Sequence, residues 1–303
     1  MSNVLALRIH AAMLADDVRN RQLARAIANV VRPGDVVVDV GAGSGLLSML
    51  AARAGARKVY ALEGSRFAGV ARALIERNGL SGVIEVLQTS SFDFVPPEPA
   101  DVVLCETLGF AVFDERFRQN VCDARDRMLR PGGALLPRAV SVQAAPVVAP
   151  PEASAIARLD EILGFDFGPL ADAVRRLHRR SYVRPACELA ASRTVLREDC
   201  ATMQFAQALR TLTEFTVATG GELGGFAMWF DADLGGGITM SSRSPEPENH
   251  WGQAFLPLRE SVRVHAGDVA TLSLAIVDSL DQFTLRWDST VRPYATIAEA
   301  SVA

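Results

Sequence analysis

No stretch of this chain limits its fold as tightly as Val36-Val37-Val38-Asp39-Val40-Gly41-Ala42-Gly43-Ser44-Gly45. So continuous a β-branched run belongs inside a parallel sheet, covered on both faces. The glycines that follow remove Cβ atoms where the chain must turn sharply into a helix, and a ligand can then lie against the backbone. A glycine-rich turn after a strand also serves dinucleotides, so the turn alone does not separate a nicotinamide cofactor from S-adenosylmethionine. Two details favour the latter: the spacing is GxGxG rather than GxGxxG, and Asp39 stands just ahead of the first glycine. Glu63 ends the next apolar run, twenty-four positions beyond Asp39, where a carboxylate can accept hydrogen bonds from both ribose hydroxyls. Gly41, Gly43, Asp39 and Glu63 are therefore candidate cofactor contacts, although an aspartate at Asp39 would equally serve to cap the turn.

Around this motif, strands expected at 36–39, 58–63, 84–87 and 101–104 alternate with helical stretches at 46–54, 67–78 and 115–129. Strand-helix alternation implies a parallel sheet with helices on its faces. Arg130-Pro131-Gly132-Gly133 reads as a helix stop and turn. After Pro137 strand-like segments follow one another directly, at 140–148, 224–230, 262–264, 269–277 and 283–287, interrupted by a helical insertion over about 152–180 that breaks at Gly164 to Pro169. The expected fold class is α/β + β. An N-terminal helix and Rossmann-like cofactor domain occupy 1–137, and an antiparallel β-barrel domain with a helical arm occupies 138–303.

Composition narrows the function. A net charge of −4 and a pI near 5.7 speak against a nucleic-acid binder, which needs clustered basic surface, and suit a cationic substrate. The four cysteines lie far apart with no CxxC pair, which fits neither a zinc site nor a disulfide framework and points to a reducing, cytoplasmic setting. Arg8 and His10 interrupt the N-terminal apolar run and Asp16-Asp17 follow it, as in a helix rather than a cleaved signal. No apolar run approaches the ~18 residues of a membrane span, so no membrane partner is expected. An Ala-, Arg- and Val-rich chain with a single lysine, Lys58, points to a GC-rich bacterial genome.

Four further blocks carry a resemblance: Ile9 to Arg19 at the N-terminus, Ala54 to Glu63, Cys105 to Glu115, and Asn249-His250-Trp251. In them the chain resembles the protein arginine N-methyltransferase family of class I S-adenosylmethionine-dependent methyltransferases, over nearly its whole length. The resemblance implies that Arg19 pairs with the cofactor carboxylate, that Met13 lines the substrate cavity with His250 and Trp251, and that Glu106 and Glu115 grip a guanidinium. It also implies transfer of the cofactor's methyl group to a guanidinium nitrogen, leaving S-adenosylhomocysteine. The glutamate pair makes sense independently, because a guanidinium is planar, forked and permanently charged and wants carboxylates that accept paired hydrogen bonds. The proton released can pass to Glu115 or to an Asp16–His250 pair such as the family uses.

The chain also departs from the family. No aromatic residue precedes His10, the family's acidic residue near adenine falls at Ser90-Ser91 with Asp93 as a substitute, and Phe117 replaces a common methionine, a narrowing that would stop at monomethylation. The insertion matches the family's dimerisation arm, with Leu159, Ile162, Leu163 and Phe165 as an apolar face that implies a head-to-tail homodimer. The expected substrate is arginine, either free L-arginine in a biosynthetic pathway or a residue in a peptide or protein. The competing readings are methyl transfer to another small-molecule amine and a non-catalytic cofactor-binding module.

Overall fold

The computed structural model describes residues 3–151, 160–205, 208–243, 249–278 and 283–294. Two helices, α1 (Asn3–Ala15) and α2 (Asp17–Val30), lead into β1 (Val36–Val40), α3 (Leu46–Arg53), β2 (Lys58–Leu62), α4 (Ala68–Arg77), β3 (Ile84–Leu87), β4 (Ala100–Cys105), α5 (Phe117–Arg127) and β5 (Leu129–Leu136). The five strands form one parallel sheet in the order β3-β2-β1-β4-β5. β1 is its buried centre, paired to β2 on one side and β4 on the other, as its unbroken valine run demands. Ligands of such sheets sit beyond the carboxyl ends of the strands where the order reverses. Here that point lies between β1 and β4, so the ends of β1, β2 and β4 bring Gly41, Glu63 and Glu106 to one edge.

The expected helix at 115–129 is shorter than its polar pattern suggested. It begins at Phe117, after Arg116 in the left-handed region, and ends at Arg127, so Glu115 stands before it in the loop. The Arg130-Pro131-Gly132-Gly133 stop does end the helix, but the segment is then taken into the exposed start of β5, where the ladder shifts register.

The remaining strands are β6 (Ala139–Val148), β7 (Glu161–Ile162), β8 (Phe165–Asp166), β9 (Arg179–Ser181), β10 (Arg193–Asp199), β11 (Leu209–Thr216), β12 (Gly221–Gly235), β13 (Ile238–Ser241), β14 (Gln253–Val264), β15 (Val269–Asp278) and β16 (Phe283–Arg292), with α6 (Gly168–Arg175) between β8 and β9. The expected barrel is corrected to separate antiparallel sheets: among the described residues β10-β6-β12-β14-β9, with β13 beside β12, forms one ladder and β11-β15-β16 another. No strand of one ladder pairs with a strand of the other among those residues, and closure requires such a pair. The expected helical insertion is likewise mostly not helical where it is described. Leu163 and Gly164 both take positive φ and turn β7 onto β8 as a small hairpin, after which only α6 is helical. Leu159 lies outside the described residues.

A single buried cluster runs from Leu23 through the β1 valines and Phe113 to Leu223, Trp251 and Leu285, so both parts of the chain share one core. Polar contacts cross it too. Arg118 on α5, fully buried, reaches Glu198 at 3.3 Å and the Phe205 carbonyl at 3.3 Å, and Gln119 Nε2 donates to Asp278 at 2.7 Å. No helix among the described residues is long and apolar enough to cross a membrane.

Candidate functional site

The glycine turn adopts the conformation its composition requires. Gly41, Gly43 and Gly45 all have positive φ, and a Cβ at Gly41 would lie 2.7 Å from Thr107 Cγ2 while one at Gly43 would lie 2.7 Å from His10 Cε1. The bare backbone is therefore the wall of a cleft. Across it, Glu63 turns back to accept from the Gly43 N–H at 2.9 Å and from Ser65 N–H at 2.8 Å. Asp39 is buried and accepts from Ser48 Oγ on α3 at 2.5 Å. Burial dominates its titration and pushes it up to about 6, against the Ser48 hydrogen bonds. Asp39 thus ties the helix after the turn to the strand before it while facing the cleft.

The N-terminal helices close the cleft. Asp16 is the N-cap of α2: its Oδ1 accepts from Arg19 N–H at 3.0 Å. Its other oxygen meets His250 Nδ1 at 2.9 Å, and the His250 backbone N–H at 3.3 Å. Burial alone would raise the Asp16 pKa, but the hydrogen bonds from His250 and from the Arg19 backbone hold it below its usual value. Arg19 is buried, donates from Nε to Glu106 Oε2 at 3.0 Å, and forms an ion pair with the same carboxylate. Asn20 Oδ1 fixes the opposite edge of the guanidinium at 2.9 Å. Met13, Arg19 and Glu106 line the cleft together with Asp39, Gly41 and Gly43.

The loop from Glu106 to Glu115 folds tightly. Gly109 and Val112 form an isolated bridge, Asp114 Oδ1 accepts from Ala111 N–H at 3.2 Å, and a Cβ at Gly109 would strike the Asp114 carboxylate. Val112 has φ 73° and Arg116 φ 62°. A β-branched residue in the left-handed region costs roughly 1–3 kcal/mol and persists only where its surroundings hold it. Trp251 supplies part of that hold: it is buried, and its Nε1 donates to the Leu108 carbonyl at 2.7 Å. Its ring lies 3.9 Å from that of His250 and 5.7 Å from the Arg19 guanidinium. The geometry therefore gives Trp251 the role of a strut under the loop. Glu115 is exposed and is not among the residues that line this cleft, yet its neighbours strip it of solvent on one side. Desolvation first, then the charges of Asp114 and Glu106, push it up to about 7. A carboxyl raised by burial and by neighbouring carboxylates suits a site that takes up a cation.

Other expected residues lie elsewhere. Ser90 caps the short 3-10 turn Ser91–Asp93 by accepting from Phe92 N–H at 3.3 Å, and Ser91 is buried just after β3; neither lines the cleft described above. Phe117 is fully buried, its ring 6.1 Å from that of Phe113. His10 had no role assigned from sequence, yet its ring stacks on Phe67 at 3.7 Å and leans over Gly43. Its place on the same helical face as Met13 and Leu14 was the available signal. The cleft residues leave about 30 Å3 between them, with the His10 ring over Gly43. The donor set fits S-adenosylmethionine: glycine N–H groups, a ribose-type carboxylate in Glu63, and a buried arginine for an α-carboxylate.

The sequence model described as ribosomal protein L11 methyltransferase (PrmA) matches residues 23–124, and that of the arginine methyltransferase oligomerization subdomain matches residues 150–290. The chain is 34% identical to an arginine N(omega)-methyltransferase of Streptomyces achromogenes subsp. streptozoticus, covering 92% of this chain and 78% of the relative. Identity to the protein arginine N-methyltransferase PRMT10 of Arabidopsis thaliana is 30%, over 83% and 75% of the two chains. The solved structure of Arabidopsis PRMT10 superposes with a TM-score of 0.83 at 26% identity, covering 94% of this chain and 93% of that one. A Trypanosoma brucei PRMT1 enzyme-prozyme heterotetramer with AdoHcy also gives 0.83, at 22% identity over 93% and 97%.

Proposed function

Since this chain belongs to the protein arginine N-methyltransferase family, we propose that it transfers the methyl group of S-adenosylmethionine to arginine through the Glu106–Glu115 loop, with free L-arginine as its substrate. The observation that carries this reading is the buried Arg19–Glu106 ion pair, set between the glycine turn and a second carboxylate, Glu115, whose pKa is raised. Arg19 there can reach both a cofactor carboxylate and the carboxylate that holds the acceptor.

Bound S-adenosylmethionine supplies an electrophilic methyl on a sulfonium. Glu106 and Glu115 hold the guanidinium by paired, charge-assisted hydrogen bonds and draw its positive charge toward the gripped nitrogens. The remaining nitrogen is left with electron density to form the new N–C bond as the S–C bond breaks. Holding it in line is worth up to ~7–11 kcal/mol of the barrier. The nitrogen then sheds a proton, for which Glu115, near 7 in the free protein, and the Asp16–His250 pair are the two acceptors on hand.

A free amino acid is favoured over a cationic tail by Arg116, exposed directly beside Glu115. Its charge repels an Arg-Gly-rich peptide and attracts an α-carboxylate. The name of the Streptomyces relative, which specifies arginine without a protein, supports the same choice. The test is mass spectrometry of the purified protein with S-adenosylmethionine and, separately, free L-arginine and an Arg-Gly-rich peptide. One methyl added to free arginine is expected, with Phe117 filling the space a second would need. Modification of the peptide alone would transfer the assignment to protein arginine, and modification of neither would remove it.

Two further results are expected. Glu63→Ala, which removes a carboxylate that binds two hydroxyls, weakens S-adenosylmethionine about 10²-fold in calorimetry; an unchanged Kd would exclude Glu63 from the ribose site. Among the exposed apolar side chains are two groups, Ile162, Leu163, Phe165 and Leu170 around β7, β8 and α6, and Val4, Leu5, Leu7, Ile9 and Leu14 on α1. Such surfaces suit a reciprocal head-to-tail homodimer in which one protomer's hairpin covers its partner's first helix. Light scattering at micromolar concentration should give twice the chain mass, and Leu163→Asp with Phe165→Asp should give one. A monomeric wild type would sink the homodimer.

A further inference from the structure

The short segment His178 to Tyr182 touches both loops that carry the candidate catalytic residues. The His178 ring lies 5.7 Å from that of Phe110, in the middle of the glutamate loop, tilted by 32°, and meets the Trp287 ring edge-on at 6.3 Å. Trp287 is itself fixed, donating from Nε1 to the Pro257 carbonyl at 2.9 Å. Two residues on, Arg180 donates to the backbone carbonyl of His250 and to the Tyr182 hydroxyl. β9 pairs with β14 just after the histidine loop, Ser181 opposite Gln253.

The glutamate loop needs external support, since Val112 and Arg116 hold left-handed backbone that relaxes unless packing opposes it. Trp251 supports it from beneath at Leu108. Among the described residues, the ring contact of Phe110 is with His178. His178 is half-buried, and burial lowers its pKa, so near neutral pH it packs as an uncharged ring. We propose that His178 is a positioning residue for the acceptor site: by packing its ring against Phe110 it fixes the spread of Glu106 and Glu115, while Arg180 fixes the histidine loop from the same short segment.

This inference rests on the arginine-methyl-transfer reading, and wild-type turnover tests that reading first. Given turnover, His178→Ala is expected to raise KM for arginine about three- to tenfold, the worth of one aromatic contact, with kcat and the Kd for S-adenosylmethionine within about twofold. His178→Phe, which keeps the ring, restores KM. Phe110→Leu reproduces the rise, and the double variant His178→Ala/Phe110→Leu adds nothing beyond either single change, because both remove the same contact. Unchanged KM in His178→Ala, failure of the phenylalanine to rescue, or additive effects would each overturn the proposal. If His178→Ala does not fold, Phe110→Leu and His178→Phe still decide it.

Discussion

Glu106→Gln should reduce kcat/KM for arginine by about 10³-fold, the largest single loss in the molecule, because truncating one side of a desolvated charge pair costs roughly 2–5 kcal/mol. The reason is double. Glutamine keeps the shape of Glu106 but places a neutral amide against the substrate guanidinium, and it also strands Arg19, whose side chain and that of Glu106 are each only 4% exposed. Orphaning a buried charge destabilises by about 3–5 kcal/mol, partly offset by the hydrogen bond an amide oxygen retains. Thermal melting should therefore show a lowered midpoint, while calorimetry on the folded variant separates lost cofactor binding from lost turnover. A Glu106→Gln enzyme that methylates arginine within tenfold of wild type would exclude the carboxylate from the acceptor site.

The second expectation concerns acidity. With Glu115 pushed up to about 7, kcat/KM should fall about tenfold for each unit of pH below that point, since only the ionised carboxylate grips a cation. The folded-state pKa lies above the unfolded value, so the stability attached to this proton is fully present below the unfolded value and is lost as pH rises through about 7. The empty protein should therefore gain stability as the activity falls. Glu115→Gln should lower kcat/KM about 10²- to 10³-fold and flatten the acid limb. An acid limb that persists in Glu115→Gln would assign it to another group.

The parallel sheet was legible because valine runs bounded by glycine leave few alternatives, and parallel pairing puts the Asp39 and Glu63 ends of β1 and β2 at one edge. β10 and β11 were invisible: their apolar side chains are sparse and break the two-residue alternation, Val195 and Leu196 standing side by side and Leu209, Leu212 and Phe215 three apart. The hairpin within the expected helical insertion was hidden by Leu163, since nothing about leucine announces positive φ. In the candidate site, the place of Glu106 at the end of β4 followed from the strand pattern, whereas the surroundings of Trp251 and His10 depend on which backbone each ring meets. Asp16 illustrates both sides. Its capping oxygen is a local matter, but its contact with His250 spans 234 positions, and only the resemblance pointed to it.

The polar crossing at α5 also limits how relatives can exchange parts. Arg118 and Gln119 travel with the parallel sheet, while Glu198 and Asp278 travel with the antiparallel ladders. A chimera joined near Pro137 inherits one side of each contact, and a mismatched donor would bury an arginine with no acid opposite it. A chimera built on this chain is therefore expected to keep its stability only when Arg118 with Glu198 and Gln119 with Asp278 are transplanted together.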